Sequence, residues 1–166
     1  MLLNSKVLIA LISFIILSFA SCQNYDNVVF DQFIETKGQW EKKDVKTFVY
    51  KVTDTISPYN LYMNVRANKD YPYSNMYVIF KVYQPNLSIH VDTLQYQMAG
   101  ADGTLLGNGF SDIKESKLEL KEGFVFPQSG TYKMTLEHAV RALGEVEGVV
   151  TLPGISEVGL KIEKKE

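Results

Sequence analysis

Asn75-Met76-Tyr77-Val78-Ile79-Phe80-Lys81-Val82-Tyr83 is the stretch whose reading decides the fold. Side chains alternate across an extended chain, so Met76, Val78, Phe80 and Val82 share one face while Tyr77, Ile79, Lys81 and Tyr83 share the other. Both faces are largely apolar, which places this strand in the interior of a sheet. Tyr71-Pro72 and Gln84-Pro85 bracket it, and a proline, with its fixed φ and missing N–H donor, interrupts a ladder at either side.

Working outward, the same signature recurs. Val, Tyr, Phe, Ile and Thr collect in short runs, and turn residues return every eight to twelve positions or so. The predicted strands are Val28 to Ile34, Val45 to Val52, Leu61 to Val65, Met76 to Tyr83, Ile89 to Met98, Thr104 to Phe110, Lys117 to Leu120, Tyr132 to Val140, Val146 to Leu152 and Val158 to Ile162. No long 3.6-residue period competes with them. Short strands in this number predict an all-β protein, an antiparallel β-sandwich of Ig-like or jelly-roll-like type. Asp102-Gly103 is a hairpin signal, because glycine takes positive φ freely and so suits the turns that match paired strands. Ser129-Gly130-Thr131-Tyr132, followed by alternating Met134, Leu136 and His138, has the pattern of a tyrosine corner, whose hydroxyl bonds backbone a few residues upstream. An ordinary core tyrosine is the competing reading.

The N-terminus has a different grammar. Lys6 supplies a positive charge, Val7 to Ala20 is apolar except for Ser13 and Ser18, and Ala20 and Ser21 lie directly before Cys22. Those fourteen residues span about 21 Å as a helix, against a hydrocarbon core of roughly 30 Å, so an export signal fits better than a permanent span. Small residues before a cysteine form a lipobox, although Phe19 stands where Leu is usual. Residues 1–21 are therefore read as a signal peptide, 22–27 as a lipidated tether starting at Cys22, and 28–166 as one β-sandwich domain. A plain secretory signal or an uncleaved helix are the alternatives. Two or three acyl chains on Cys22 would hold the protein stably on a membrane, where one would bind only marginally.

Removing residues 1–21 from the 166 leaves 145, enough for a domain with a real core. The removed segment carries one lysine and no acid, so the formal charge moves from −2 to −3. Without a basic stripe to meet phosphates, nucleic-acid binding is not expected. Cys22 is the only cysteine, and acylation would consume it, leaving no disulfide, thiol nucleophile or thiolate metal site. Packing has to supply the stability.

Chemistry-bearing groups are dispersed. His90 and His138 are far apart in sequence, and only Asp92, two residues from His90, offers a weak metal or acid–base pairing. Gly107-Asn108-Gly109 lacks the third glycine of a dinucleotide fingerprint, with Asp112 in its place, and reads as a bulge or turn. Asp112, Glu115, Glu119 and Glu122 alternate with lysines, the pattern of a solvated face. No cofactor, no metal and no enzymatic activity are expected. Tyr59, Tyr71, Tyr73 and Tyr77 gather around Pro58 and Pro72 and are candidate interaction aromatics, for protein partners or sugar rings, since such rings offer contact area at low entropic cost. Caps on the ends of the core would use them equally well.

Several ordered blocks resemble the gliding-motility lipoprotein GldH family: Tyr59-Asn60-Leu61 with Asn64 to Asn68, Asp92 to Ala99, Gly107 to Glu115, Val125-Phe126-Pro127, Ser129 to Tyr132, Ala139-Val140-Arg141, Gly144-Glu145-Val146 and Gly154 to Gly159. The resemblance covers essentially the whole mature chain. It implies a non-enzymatic cell-envelope lipoprotein of Bacteroidota-type bacteria, a part of the gliding machinery associated with type IX secretion, with other envelope proteins as partners. Only the lipidated Cys22 transfers as a site residue. Gln23, where an inner-membrane lipoprotein would carry Asp by analogy, favours the outer membrane. The lack of an acid run in Gln23 to Asp26 favours its periplasmic face. A glycan-binding envelope lipoprotein, with sugar stacked on Tyr71 and Tyr73, is the second function class. Exposed coplanar rings along a groove would indicate it.

Overall fold

The computed structural model describes residues 27–109, 112–141, 144 and 147–165. The signal segment, Cys22 and the tether up to Asp26 lie outside the described residues. Ten strands follow in order: β1 Val28–Glu35, β2 Gln39–Glu41, β3 Lys46–Val52, β4 Tyr59–Ala67, β5 Asn75–Tyr83, β6 Ile89–Gln97, β7 Lys114–Phe124, β8 Gly130–His138, β9 Thr151–Pro153 and β10 Ile155–Lys164. One four-stranded sheet has the order β1-β10-β4-β7, the other β3-β8-β5-β6, and β2 pairs with β9 in a short ribbon. All the pairings are antiparallel.

The alternation in β5 sets the interior. Met76, Val78, Phe80 and Val82 are fully buried, and β5 is indeed flanked on both sides, by β6 and β8. Across the sandwich, Leu61, Met63 and Val65 of β4 and Val158, Leu160 and Ile162 of β10 turn inward in register, Leu61 opposite Ile162 and Met63 opposite Leu160. Each such side chain, fully buried, contributes about 1.5–3 kcal/mol. The two sheets are joined at their rims. Phe30 of β1 meets Tyr50 of β3 edge-on at 5.6 Å, while on the other side the Tyr96 hydroxyl of β6 donates to the Glu119 carbonyl of β7 at 2.5 Å and Asp92 pairs with Lys121 at 2.9 Å.

The molecule has two distinct ends. At one, β1 begins and β10 finishes, and the Lys164 amide donates to the Asn27 carbonyl at 2.7 Å, so the residue before β1 is tied to the sheet. Phe126 lies there among Tyr59, Phe124 and Tyr132, with ring centroids at 5.4, 5.0 and 4.9 Å. Tyr132 is fully buried and its hydroxyl donates to the Gln128 carbonyl at 2.9 Å; the tyrosine corner is formed. At the other end the β2–β9 ribbon closes the core with Trp40 and Leu152, both fully buried.

Two predicted strands are corrected. Thr104 to Phe110 is not a strand: its ladder is reduced to isolated bridges, Ala99 with Leu105 and Asn108 with Glu115, and Phe110 lies outside the described residues. The Asp102-Gly103 turn does form, with Gly103 at φ +80° and the Gly100 amide donating to the Thr104 carbonyl at 2.9 Å. Gly107 at φ +115° then turns the chain against the Glu115 backbone, so the return segment leaves β6 and pairs through Asn108 with the edge of β7 in the other sheet. Of the predicted strand Val146 to Leu152, Val146 lies outside the described residues and only Thr151 and Leu152 belong to β9. Conversely, β7 is far longer than Lys117 to Leu120 because its charges face water while Ser116, Leu118 and Leu120 turn inward.

Candidate functional site

Building up from the sheets, polar side chains gather in two places: the outer face of the β1-β10-β4-β7 sheet, and the end that carries Trp40. On the outer face, Arg66 of β4 reaches Glu115 of β7 at 2.8 Å and Glu157 of β10, and its guanidinium lies 4.4 Å above the centre of the Phe33 ring of β1. The ring fits because it packs over Gly159, where a Cβ would come within 2.9 Å of it. One arginine thus ties four strands. Three of the blocks that carry the family resemblance meet here, and Ser156 adds a bond from its hydroxyl to the Arg66 carbonyl at 3.2 Å. Beside this network a shallow cleft of about 380 Å³ is lined by Asn64, Asn108, Gly109, Glu115, Lys117 and Lys161.

The second place is organised by His138, the last residue of β8. The alternation that buries Met134 and Leu136 carries it inward, and it is only 1% exposed. Its ring stands edge-on to Trp40 with centroids 5.3 Å apart, and neither ring nitrogen finds a hydrogen-bond partner of good geometry. Burial, helped by the positive charge of Lys42, pushes its pKa down to about 4, against the opposing influence of the Trp40 backbone and Glu137. The imidazole is therefore neutral at pH 7. It lines a cleft of about 420 Å³ together with Lys42, Ile79, Glu137, Ala139, Arg141, Glu147 and Gly148. Glu137 is paired with Lys81 at 3.1 Å, whereas Lys42 and Arg141 have no ion pair among the described residues. The Lys42 ammonium lies 2.8 Å from where a Cβ on Gly148 would sit. The cleft is thus a polar pocket of mixed charge, with Glu147 beside Lys42 and Arg141.

The four candidate tyrosines are not brought together. Tyr59 is in the core at the opposite end of the sandwich, against Phe126. Tyr71 is 5% exposed, its hydroxyl donating to the Asn75 carbonyl at 2.9 Å, and burial raises its pKa. Tyr73 meets it at 72°, and Tyr77 stands on the outer face of β5. His90 is exposed on the edge strand β6, and its neighbour Asp92 is taken by Lys121. No group of three or more His, Cys, Asp or Glu among the described residues is placed to hold a metal. Lys42, Glu147 and Gly148 carried no signal in the sequence. His138 did, through the Met134-Leu136-His138 alternation that puts it on the buried face.

Comparison with known proteins decides the family. The model of the GldH lipoprotein family matches residues 28–162, from the first strand almost to the end of the last. The chain belongs to the GldH lipoprotein family. It is 46% identical to the gliding motility lipoprotein GldH of Flavobacterium johnsoniae over 138 residues, 83% of this chain and 86% of that protein. It is 39% identical to a gliding motility lipoprotein GldH homolog of Christiangramia forsetii over 153 residues, 92% of this chain and 93% of that one. Membership of the GldH lipoprotein family makes this a membrane-anchored lipoprotein of the cell envelope. Among solved structures, VP2 of infectious bursal disease virus aligns with a TM-score of 0.36 and 12% identity, over 86% of this chain and 34% of that one, a likeness too loose to carry any argument.

Proposed function

We propose that the protein is a non-enzymatic part of the gliding motility machinery, held by acyl chains on Cys22 at the periplasmic face of the outer membrane of a Bacteroidota-type bacterium and working with the type IX secretion apparatus. The observation that carries this reading is the 46% identity to the gliding motility lipoprotein of Flavobacterium johnsoniae across 83% of the chain. Its partners are other envelope proteins of that machinery. The geometry supports docking over turnover: the carboxylates that the fold gathers are engaged in structural ties, Glu115 and Glu157 on Arg66 and Asp92 on Lys121. It also favours this reading over glycan binding, because Tyr71 and Tyr73 meet at 72° with Tyr71 buried and offer no flat exposed platform for a sugar ring.

The test is genetic. Clean deletion in a gliding host should stop cell movement, and a Cys22→Ser form should fail to restore it even when the domain accumulates in the periplasm, because a hydroxyl cannot replace the thiol in acylation. Normal gliding and secretion after deletion would remove the assignment. Full rescue by the Cys22→Ser form would show that anchoring is dispensable.

A further inference from the structure

The two most exposed large apolar side chains among the described residues are Leu87, at 89%, and Ile56, at 86%. Neither is a loose end. Ile56 is held out by Asp54, whose carboxylate accepts from the Ile56 and Ser57 amides at 3.0 Å each. The Leu87 amide donates to the Gln84 carbonyl at 3.0 Å, and Leu87 has φ +68°, a conformation that disfavours a bulky side chain and suits Gly or Asn. A leucine there accepts a backbone penalty in order to hold an apolar side chain in water, and such a residue points to a role for the side chain itself.

Both tips lie at the end where the tether leaves. Lys164 joins the Ile56 turn to it: its amide donates to the Asn27 carbonyl at 2.7 Å, and its ammonium pairs with Asp54 at 3.0 Å. The Leu87 turn reaches the same end through Pro85, which packs within 2.8 Å of the Cβ position of Gly130, the residue opposite Val52 at the close of β3. Four residues, Gln23 to Asp26, separate Asn27 from Cys22. Fully extended, that link spans about 17 Å, whereas strands of nine residues such as β4 and β5 run for about 30 Å. The tether is shorter than the domain, so the end bearing Ile56 and Leu87 is kept next to the bilayer.

We propose that Ile56 and Leu87 dip into the headgroup–acyl boundary of the phospholipid leaflet that holds the acyl chains, fixing the orientation of the domain on the membrane. Apolar residues gain at this boundary in proportion to the area they bury. The inference rests on lipidation at Cys22. Because that thiol is acylated and no other cysteine exists in the chain, a cysteine introduced at a tip can be labelled alone. The experiment uses the full lipidated protein in vesicles of phosphatidylethanolamine and phosphatidylglycerol, carrying Ile56→Cys, Leu87→Cys or, at the far end, Val150→Cys, which is 73% exposed. Each is labelled with a nitrobenzoxadiazole dye. Dithionite should reduce the dye at 56 or 87 about tenfold more slowly than at 150, and spin-labelled lipid should quench only the first two. Equal rates at all three positions, with labelled fatty acid present on Cys22, would overturn the membrane contact while leaving the anchor intact. Absence of fatty acid on Cys22 would overturn both.

Discussion

Replacing His138 by Gln should flatten the acid limb of the stability curve. In the folded chain the buried imidazole holds a pKa of about 4 against an ordinary 6.5; the unfolded chain takes up its proton near the ordinary value. Between those two values the unfolded state binds more protons, so stability rises with pH in that window. The contribution is complete above pH 6.5 and is lost as pH falls to about 4. At about 1.4 kcal/mol per pH unit, the window is worth on the order of 3 kcal/mol. Trp40, the only tryptophan, lies against the ring and reports unfolding by its emission. Urea titrations at about pH 7 and about pH 4.5 should show the parent protein losing roughly 2–3 kcal/mol more than His138→Gln over the same interval. Any general cost of the substitution cancels, because only the change with pH is compared. Parallel losses in the two proteins would refute the claim that His138 is held neutral by burial.

Two further substitutions test the architecture. Tyr132→Phe removes the hydroxyl that bonds the Gln128 carbonyl and should lower the denaturation free energy by about 1 kcal/mol with the strand content unchanged in circular dichroism; an unchanged midpoint would argue against the corner as a stabilising feature. Gly154→Ala should be far more damaging, about 3 kcal/mol, because Gly154 has φ +78° and its Cβ would come within 2.3 Å of the Tyr71 backbone nitrogen. A wild-type midpoint in that variant would contradict the close approach of the β9–β10 turn to the chain after β4.

Where the sequence spoke clearly, one periodicity sufficed. Met76 to Val82 alternates without interruption, so the central place of β5 was readable, as was the inward face that ends on His138. The tyrosine corner was readable for a different reason, since it depends on residue types within a few positions of one another. What was hidden depends on distant segments. Thr104 to Phe110 has the composition of a strand, yet Gly107 and Gly109 approach the Glu115 and Ile113 carbonyls so closely that a Cβ would come within 2.6 and 2.4 Å, and Asn108 is drawn to the free edge of β7 at Glu115. β2 was invisible because three residues show no period, and its existence rests on Trp40 finding the end of the core. The cleft beside His138 is assembled from three parts of the chain, and Lys42 and Arg141 become neighbours only through the pairing of Arg141 with Gly148 and of the Lys42 amide with the Val150 carbonyl.

The two ends of the sandwich carry different chemistry, and the proposed anchoring at Cys22 gives that contrast its meaning. At the tethered end Ile56 and Leu87 are exposed, and Lys164 and Lys165 are paired with Asp54 and Glu122. At the far end Lys42, Arg141 and Glu147 line a polar cleft, about 30 Å away along the strands. A charge near a bilayer surface is screened within about 8 Å at physiological salt, so cations at that distance do nothing for membrane attachment. They are available only to something that approaches from the side away from the membrane. With acyl chains on Cys22 as proposed, this separation would hold one surface on the membrane and offer another to neighbours: a tether too short to let the domain turn over, and strands long enough to lift the polar end clear of the lipid.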